Sequence, residues 1–233
     1  KKVIGITAFG STNGAASRSL ELLRNKGYEV VVFHASGAGG SAMEDLIDQG
    51  IISGVLDLTT HELVAELFPE ACDVYAPTRT GRLEVAGMKG MPQVVAPGGL
   101  DYFVYGPLES VPPKFRDRKI HYHNPYNVNV RVNKDELEIA GKVMAERLNR
   151  ARGPVAVLIP LQGWTNWDKE GGELYDPAAD RAFVESLKKH TKPRIRIVEI
   201  DCHMNDPVFA ETAVHVLDKM MKAAEAPSES HAN

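Results

Sequence analysis

Short apolar, β-branched runs alternate along this chain with segments of helical spacing, and that alternation restricts the fold more than any other feature of the sequence. "KVIGITAF" is followed by "GSTNGAASRSLELLRNKG", where Leu20, Leu22 and Leu23 supply the apolar positions and Gly27 the terminator. "YEVVVFHA" leads through a glycine cluster into "SAMEDLIDQG", closed by Gly50. "SGVLDLTT" leads into "HELVAELF", with Thr60 as the expected N-cap. The stretch from Pro69 to Arg82 reads as a polar loop, "RLEVAGMKG" as a short helix, "MPQVVAPGG" as a strand, and residues 100 to 118 as irregular. Then come a short strand "KIHYHN", a long amphipathic helix "VNKDELEIAGKVMAERLNRA" and a fully apolar strand "PVAVLIPL". Helix "DPAADRAFVESLKKH", strand "RIRIVEID" and helix "DPVFAETAVHVLDKMMKAA" close the pattern.

Strands joined through helices must run parallel, because a parallel crossover needs a long connection, and strands buried on both sides read as unbroken apolar runs. The expected fold is therefore α/β: a doubly wound, mostly parallel sheet with helices on both faces, a Rossmann-like three-layer sandwich. One domain is expected over residues 1–224 and a disordered tail over 225–233. No repeat of solenoid type is visible.

The net charge of −4 gives nucleic acid or an anionic membrane nothing to hold, and no apolar run is long enough to span a bilayer. Cys72 and Cys202 fall outside any metal-finger or CxxC spacing and read as reduced thiols of a cytoplasmic protein. "KKVIGITAF" enters its strand without a leader, which suggests a further N-terminal domain ahead of it.

Open α/β sheets bind ligands beyond the C-terminal ends of their strands. The candidates there are Gly10, Ser11 and Thr12; His34, Ser36, Gly37, Gly39, Gly40 and Ser41; Asp57, Thr59 and Thr60; Gly98 and Asp101; His123 and Asn124; Asp168; and His203, Asn205 and Asp206. Glycines leading into a helix let backbone N–H groups meet a phosphate or carboxylate, so "SGAGGSAM" suits an anion; tight-turn chemistry accounts for the same residues. "GAGGSA" fits GxGxxA with Asp57 further on, yet His34, Ala35 and Ser36 separate the first glycine from its strand, unlike a dinucleotide fingerprint. No P-loop and no GxSxG elbow is present.

His34, His123 and His203 beside Asp57 or Asp206 could transfer protons, or serve as turn and cap partners; no metal-ligand set is assigned. Arg131 and Arg82 could each anchor an anion or form an ion pair. Trp164 and Trp167 flank a loop that could form an aromatic lid or a subunit contact.

"ITAFG" with Thr12, "GYEVVVFHASGAGGSAMEDLI", "GVLDLTTHEL", "PQVVAPGGLD", "HNP" with Arg131, "GPVAVLIPLQG" with Asp168, "YDPAAD" and "HMNDPVFA" together resemble the C-terminal half of the tomato mosaic virus resistance protein-like ATP-binding family. That resemblance implies one subdomain of a two-subdomain, dimeric protein, with an N-terminal subdomain as partner and ATP with Mg²⁺ as the cofactor to consider. It implies Gly10, Thr12, His34, Gly37, Gly39, Gly40, Asp57, Thr59, Thr60, Asp101, His123, Asn124, Arg131, Asp168, His203, Asn205 and Asp206 as pocket positions. The chain departs from the family at "STNGAA", where a Pro-Cys is usual, and at "DYFVYGP" and "GWTNWD". The expected function is small-molecule binding, of a nucleotide or another phosphate- or carboxylate-bearing ligand. The alternatives are a hydrolase or isomerase of a small acid, and a structural dimerisation subdomain.

Overall fold

The computed structural model describes residues 1–75 and 81–225. Along the chain run β1 (Val3–Ala8), α1 (Asn13–Asn25), β2 (Glu29–His34), α2 (Ala38–Asp48), β3 (Gly54–Thr59), α3 (Glu62–Leu67), α4 (Val85–Met88) and β4 (Gln93–Gly98). They continue with β5 (Tyr102–Tyr105), β6 (Ile120–Asn124), β7 (Asn127–Arg131), α5 (Lys134–Leu148), β8 (Val155–Pro160), α6 (Pro177–His190), β9 (Arg196–Ile200) and α7 (Pro207–Glu225).

Six strands form a parallel sheet in the order β2-β1-β3-β4-β8-β9. Every residue of β3, β4 and β8 is buried, whereas the edge strands β2 and β9 are partly exposed, as their sequences suggest. Strand periodicity sorts the side chains into two layers. Ile4, Ile6, Leu56, Leu58, Val94, Ala96 and Leu158 meet α1 and α7 on one face. On the other, Val55 meets α2 and α4, while Val95, Val157 and Ile159 meet α3, α5 and α6. This is the expected three-layer α/β sandwich. Helices α5 and α6 approach closely at Gly141, where a Cβ would stand 2.5 Å from the Phe183 carbonyl oxygen.

A second, antiparallel sheet, β5-β7-β6, interrupts the crossover from β4 to β8. Here the structure departs from the irregular segment expected over 100–118 and adds a strand, β7, inside "NVNVRV". Asparagine is a poor strand former and hides the valine alternation, but packing decides the outcome. Phe103, Tyr105, Val128 and Val130 enter the core shared with α5 and α6. The opposite face, carrying Tyr102, Val104, Asn127 and Asn129, turns toward the C-terminal edge of the large sheet.

Local signals mostly act as read. Gly27 and Gly50 take positive φ after α1 and α2, and the Asp176 side chain caps α6 ahead of Pro177. Asn133 and Glu136 form a capping box on α5. Thr60 does not cap α3: His61 holds that position, and the Thr60 hydroxyl donates to the Ala96 carbonyl at 3.0 Å. Of the tail expected from residue 225, Glu225 ends α7 and pairs with Lys2 at 2.7 Å; 226–233 lie outside the described residues. Residues 76–80 of the loop expected over 69–82 also lie outside them. Cys72 and Cys202 are free thiols, one exposed and one buried. No helix among the described residues is long and apolar enough to cross a membrane.

Candidate functional site

Strand order reverses about β1, with β2 on one side and β3 on the other, so the crevice beyond their carboxyl ends is where an open α/β sheet takes ligands. A cleft of about 370 Å³ lies there. One wall comes from the large sheet through Phe9, Gly10, Ser11 and His34. Facing it, the small sheet contributes Tyr102, Val104, His123, Asn127 and Asn129, and Tyr75, Asn166 and Trp167 complete the lining. None of these side chains is acidic or basic in the Asp, Glu, Lys, Arg sense.

The rings are packed into a continuous surface. Phe9 lies 5.0 Å from His34, 5.7 Å from Tyr75 and 6.2 Å from Tyr102, and Tyr102 meets the Trp167 edge at 5.5 Å, within the range of favourable aromatic pairs. Partial burial, with the His61 charge, pushes the His34 pKa down against the opposing pull of Glu62. The Ser11 and Tyr102 hydroxyls share a hydrogen bond of 2.8 Å.

Beneath Phe9, at 4.9 Å, sits His61, which is fully buried. Its Nδ1 is 2.7 Å from the Gly99 carbonyl and its Nε2 is 3.0 Å from Asp73 Oδ2. Both partners accept, so both nitrogens donate. Burial disfavours that imidazolium, but the Asp73 charge and hydrogen bond outweigh it and raise the pKa. Asp73 also accepts from the Tyr75 and Val104 N–H groups, at 2.6 and 2.7 Å, and so pins Tyr75 to the cleft wall.

The glycine loop after β2 has an internal partner. Gly37 turns the chain at φ 84°, and the N–H groups of Gly37 and Gly40 donate to Glu62 Oε1 at 3.3 and 3.1 Å. Glu62 Oε2 accepts from Arg82 Nε at 3.3 Å, and Arg82 grips Asp57 bidentately at 2.8 and 2.9 Å. A carboxylate of the protein thus takes the place at the α2 N-terminus suited to a ligand anion. Glycine is required here by space: a Cβ on Gly39 would stand 1.8 Å from the His34 carbonyl oxygen, and one on Gly40 2.2 Å from Glu62. Ser41 continues the helix through its N–H to the Gly37 carbonyl, and Ser36 closes the turn onto His34. Asp57 also accepts from Thr7 Oγ1 at 2.7 Å, and Glu44, raised in pKa by burial, completes the network around Arg82.

The remaining candidates fall into other groups. Thr12 and Thr59 join hydroxyls at 2.8 Å, and Gly98 lets β4 approach the Leu58 carbonyl. Arg131 lies buried among Asp180, Asp168 at 3.3 Å and Asp101 at 4.0 Å. Thr165 donates to Asp101 at 2.7 Å and the Trp164 N–H to Asp168 at 3.0 Å. Asn124 accepts from the Tyr126 N–H in the β6–β7 turn. His203, Asn205 and Asp206 line a separate polar groove that meets the cleft at Asn166. There His203 Nδ1 accepts from the Asn205 N–H and Nε2 donates to the Thr165 carbonyl, while Asp206 accepts from the His203 N–H. Neither His203 nitrogen is left for proton transfer. Asn205 caps α1 at the Ala15 N–H. Among the candidates at strand ends, then, Gly10, Ser11, His34 and His123 reach the cleft.

A family model for the uncharacterised protein family (UPF0261) C-terminal domain matches residues 1–221. The chain belongs to UPF0261. A UPF0261 protein of Clostridium tetani (strain Massachusetts / E88) is 43% identical over 223 residues, covering 95% of this chain and 54% of the relative. One of Rhizobium meliloti (strain 1021) is 37% identical over 216 residues, 92% of this chain and 53% of the relative. The ToMV resistance protein Tm-1(GCR237) of Solanum lycopersicum is 36% identical over 218 residues, 92% of this chain and 28% of the relative. This UPF0261 domain therefore spans about half the length of the bacterial relatives it matches and less of the tomato one.

Sequence reasoning left out Phe9, His61, Tyr75, Tyr102, Asn127, Asn129 and Asn166 of the UPF0261 cleft and its floor. Of the two tryptophans it weighed, Trp167 lines the cleft and Trp164 is a core residue against Phe183 at 5.2 Å. One signal was available: in "NVNVR" amides alternate with valines, as in a strand with one face in a core and the other on a polar surface.

Proposed function

We propose that this domain binds a small molecule in the cleft between the large sheet's C-terminal edge and the small antiparallel sheet. The observation that carries the reading is the convergence of two independent sheets on one concave, aromatic surface at the strand-order reversal. Enzymatic proton transfer has less support: His34 and His123 have no carboxylate hydrogen-bonded to them among the described residues, while the bonded pair His61–Asp73 is sealed beneath Phe9. A Mg²⁺–triphosphate group does not fit the described lining, which offers neither a carboxylate for the metal nor a cation for the phosphates. Since the bacterial relatives are about twice as long, binding here is proposed as one half's contribution to a larger protein, with dimer formation a separate proposal.

A thermal-shift screen tests this, using nucleotides, sugar phosphates, small carboxylates and uncharged ring compounds. A ligand at a hundred times its Kd stabilises the native state by about 2.7 kcal/mol. A shift that disappears in Trp167→Ala supports the cleft. No shift with any class, or one indifferent to Trp167, refutes the proposal.

A further inference from the structure

Asn129 is 3% exposed, lines the cleft from the middle of β7, and makes no side-chain hydrogen bond among the described residues. A polar group so deeply placed is ordinarily bonded, because withdrawing an amide from water without a partner costs about 1–3 kcal/mol. Its amide atoms are not sealed within the protein but open onto the cleft, where a ligand can take the place of water. Asn127, two residues earlier on the same face, likewise has no side-chain partner among the described residues.

A carboxamide presents a donor and an acceptor side by side, and its complement is an edge bearing an acceptor and a donor at the same spacing, as in a primary amide, a lactam or an amino-heterocycle. Trp167 lines the same cleft half-buried, one ring face stacked on His121 at 4.0 Å and its edge against the buried Tyr102, an aromatic surface beside which a flat molecule can pack. A charged ligand would surrender its hydration to a lining without a counter-charge among the described residues. We infer that the cleft takes an uncharged, planar ring compound carrying an amide-type edge, read by the Asn129 carboxamide and stacked against Trp167. This rests on the small-molecule reading above and narrows it away from phosphate- and carboxylate-bearing ligands.

The test compares four probes, benzamide, benzoate, inorganic phosphate and glucose, by saturation-transfer NMR and thermal shift on the protein and on Asn129→Leu. Benzamide is expected to bind and benzoate, its charged near-isostere, to bind at least ten-fold more weakly. Because the amide has no protein partner to lose, Asn129→Leu is expected to keep or raise Tm while weakening benzamide at least ten-fold. Binding of benzoate or phosphate in preference overturns the ligand class but leaves the cleft a binding site, and glucose as the sole binder does the same. Silence from all four probes refutes the class, whereas the wider screen alone decides on the site. A lower Tm in Asn129→Leu with unchanged benzamide binding makes Asn129 a structural residue and overturns the inference.

Discussion

Replacing Asp101 with asparagine probes the buried charge group behind the cleft. Asp101 is fully buried, and burial together with the Asp168 carboxylate pushes its pKa from 3.8 up to about 7, against the pull of Arg131. A carboxyl raised on folding keeps a proton that the unfolded chain has released, so between about pH 4 and pH 7 the folded state holds more protons and stability falls as pH rises. About three units at about 1.36 kcal/mol each set a ceiling of about 4 kcal/mol on that loss. Asparagine keeps the shape and cannot ionise. Asp101→Asn is therefore expected to match the parent near pH 4 and to gain on it up to pH 7, with the difference constant above. Urea denaturation of both proteins from pH 4 to pH 8.5 measures this; groups remote from Asp101 cancel in the difference, while Asp168 and Asp180 titrate together with it. A variant less stable by the same amount at every pH would show that Arg131 holds Asp101 as a carboxylate, and would refute the reasoning.

Two further outcomes are expected. Arg82→Met strands Asp57, Glu62 and Glu44 without their cation and should cost about 3–5 kcal/mol in guanidinium denaturation, part of it restored by adding Glu62→Gln; a loss below about 1 kcal/mol would contradict the network. Gly141→Ala favours the helix intrinsically, yet its methyl group meets the Phe183 carbonyl, so a net loss of about 1–3 kcal/mol in the same assay is expected and a gain would show that α5 and α6 separate freely.

The parallel sheet was legible because its strands are rich in apolar, β-branched residues and its helices carry glycine and aspartate signals at their ends. The small sheet was not, since β5, though built of strand-favouring residues, is only four residues long, and the asparagines of β7 mask its alternating valines. For the site, position along strands identified Gly10, Ser11, His34 and His123. It could not separate glycines that receive a ligand from glycines that receive Glu62, because Glu62 and Arg82 reach the loop from segments distant in sequence. His61 was hidden for a similar reason: it reads as the first residue of a helix, and only tertiary contact with Asp73 reveals its charge.

The insertion of β5, β6 and β7 into the β4–β8 crossover divides the labour of heredity within this chain. The strands of the large sheet lie on one set of segments, and the residues facing its C-terminal edge from across the cleft lie on another. A substitution at Asn127, Asn129 or His123 therefore reshapes the far wall of the cleft without touching a strand of the large sheet, so that wall can vary while the parallel sheet stays as it is.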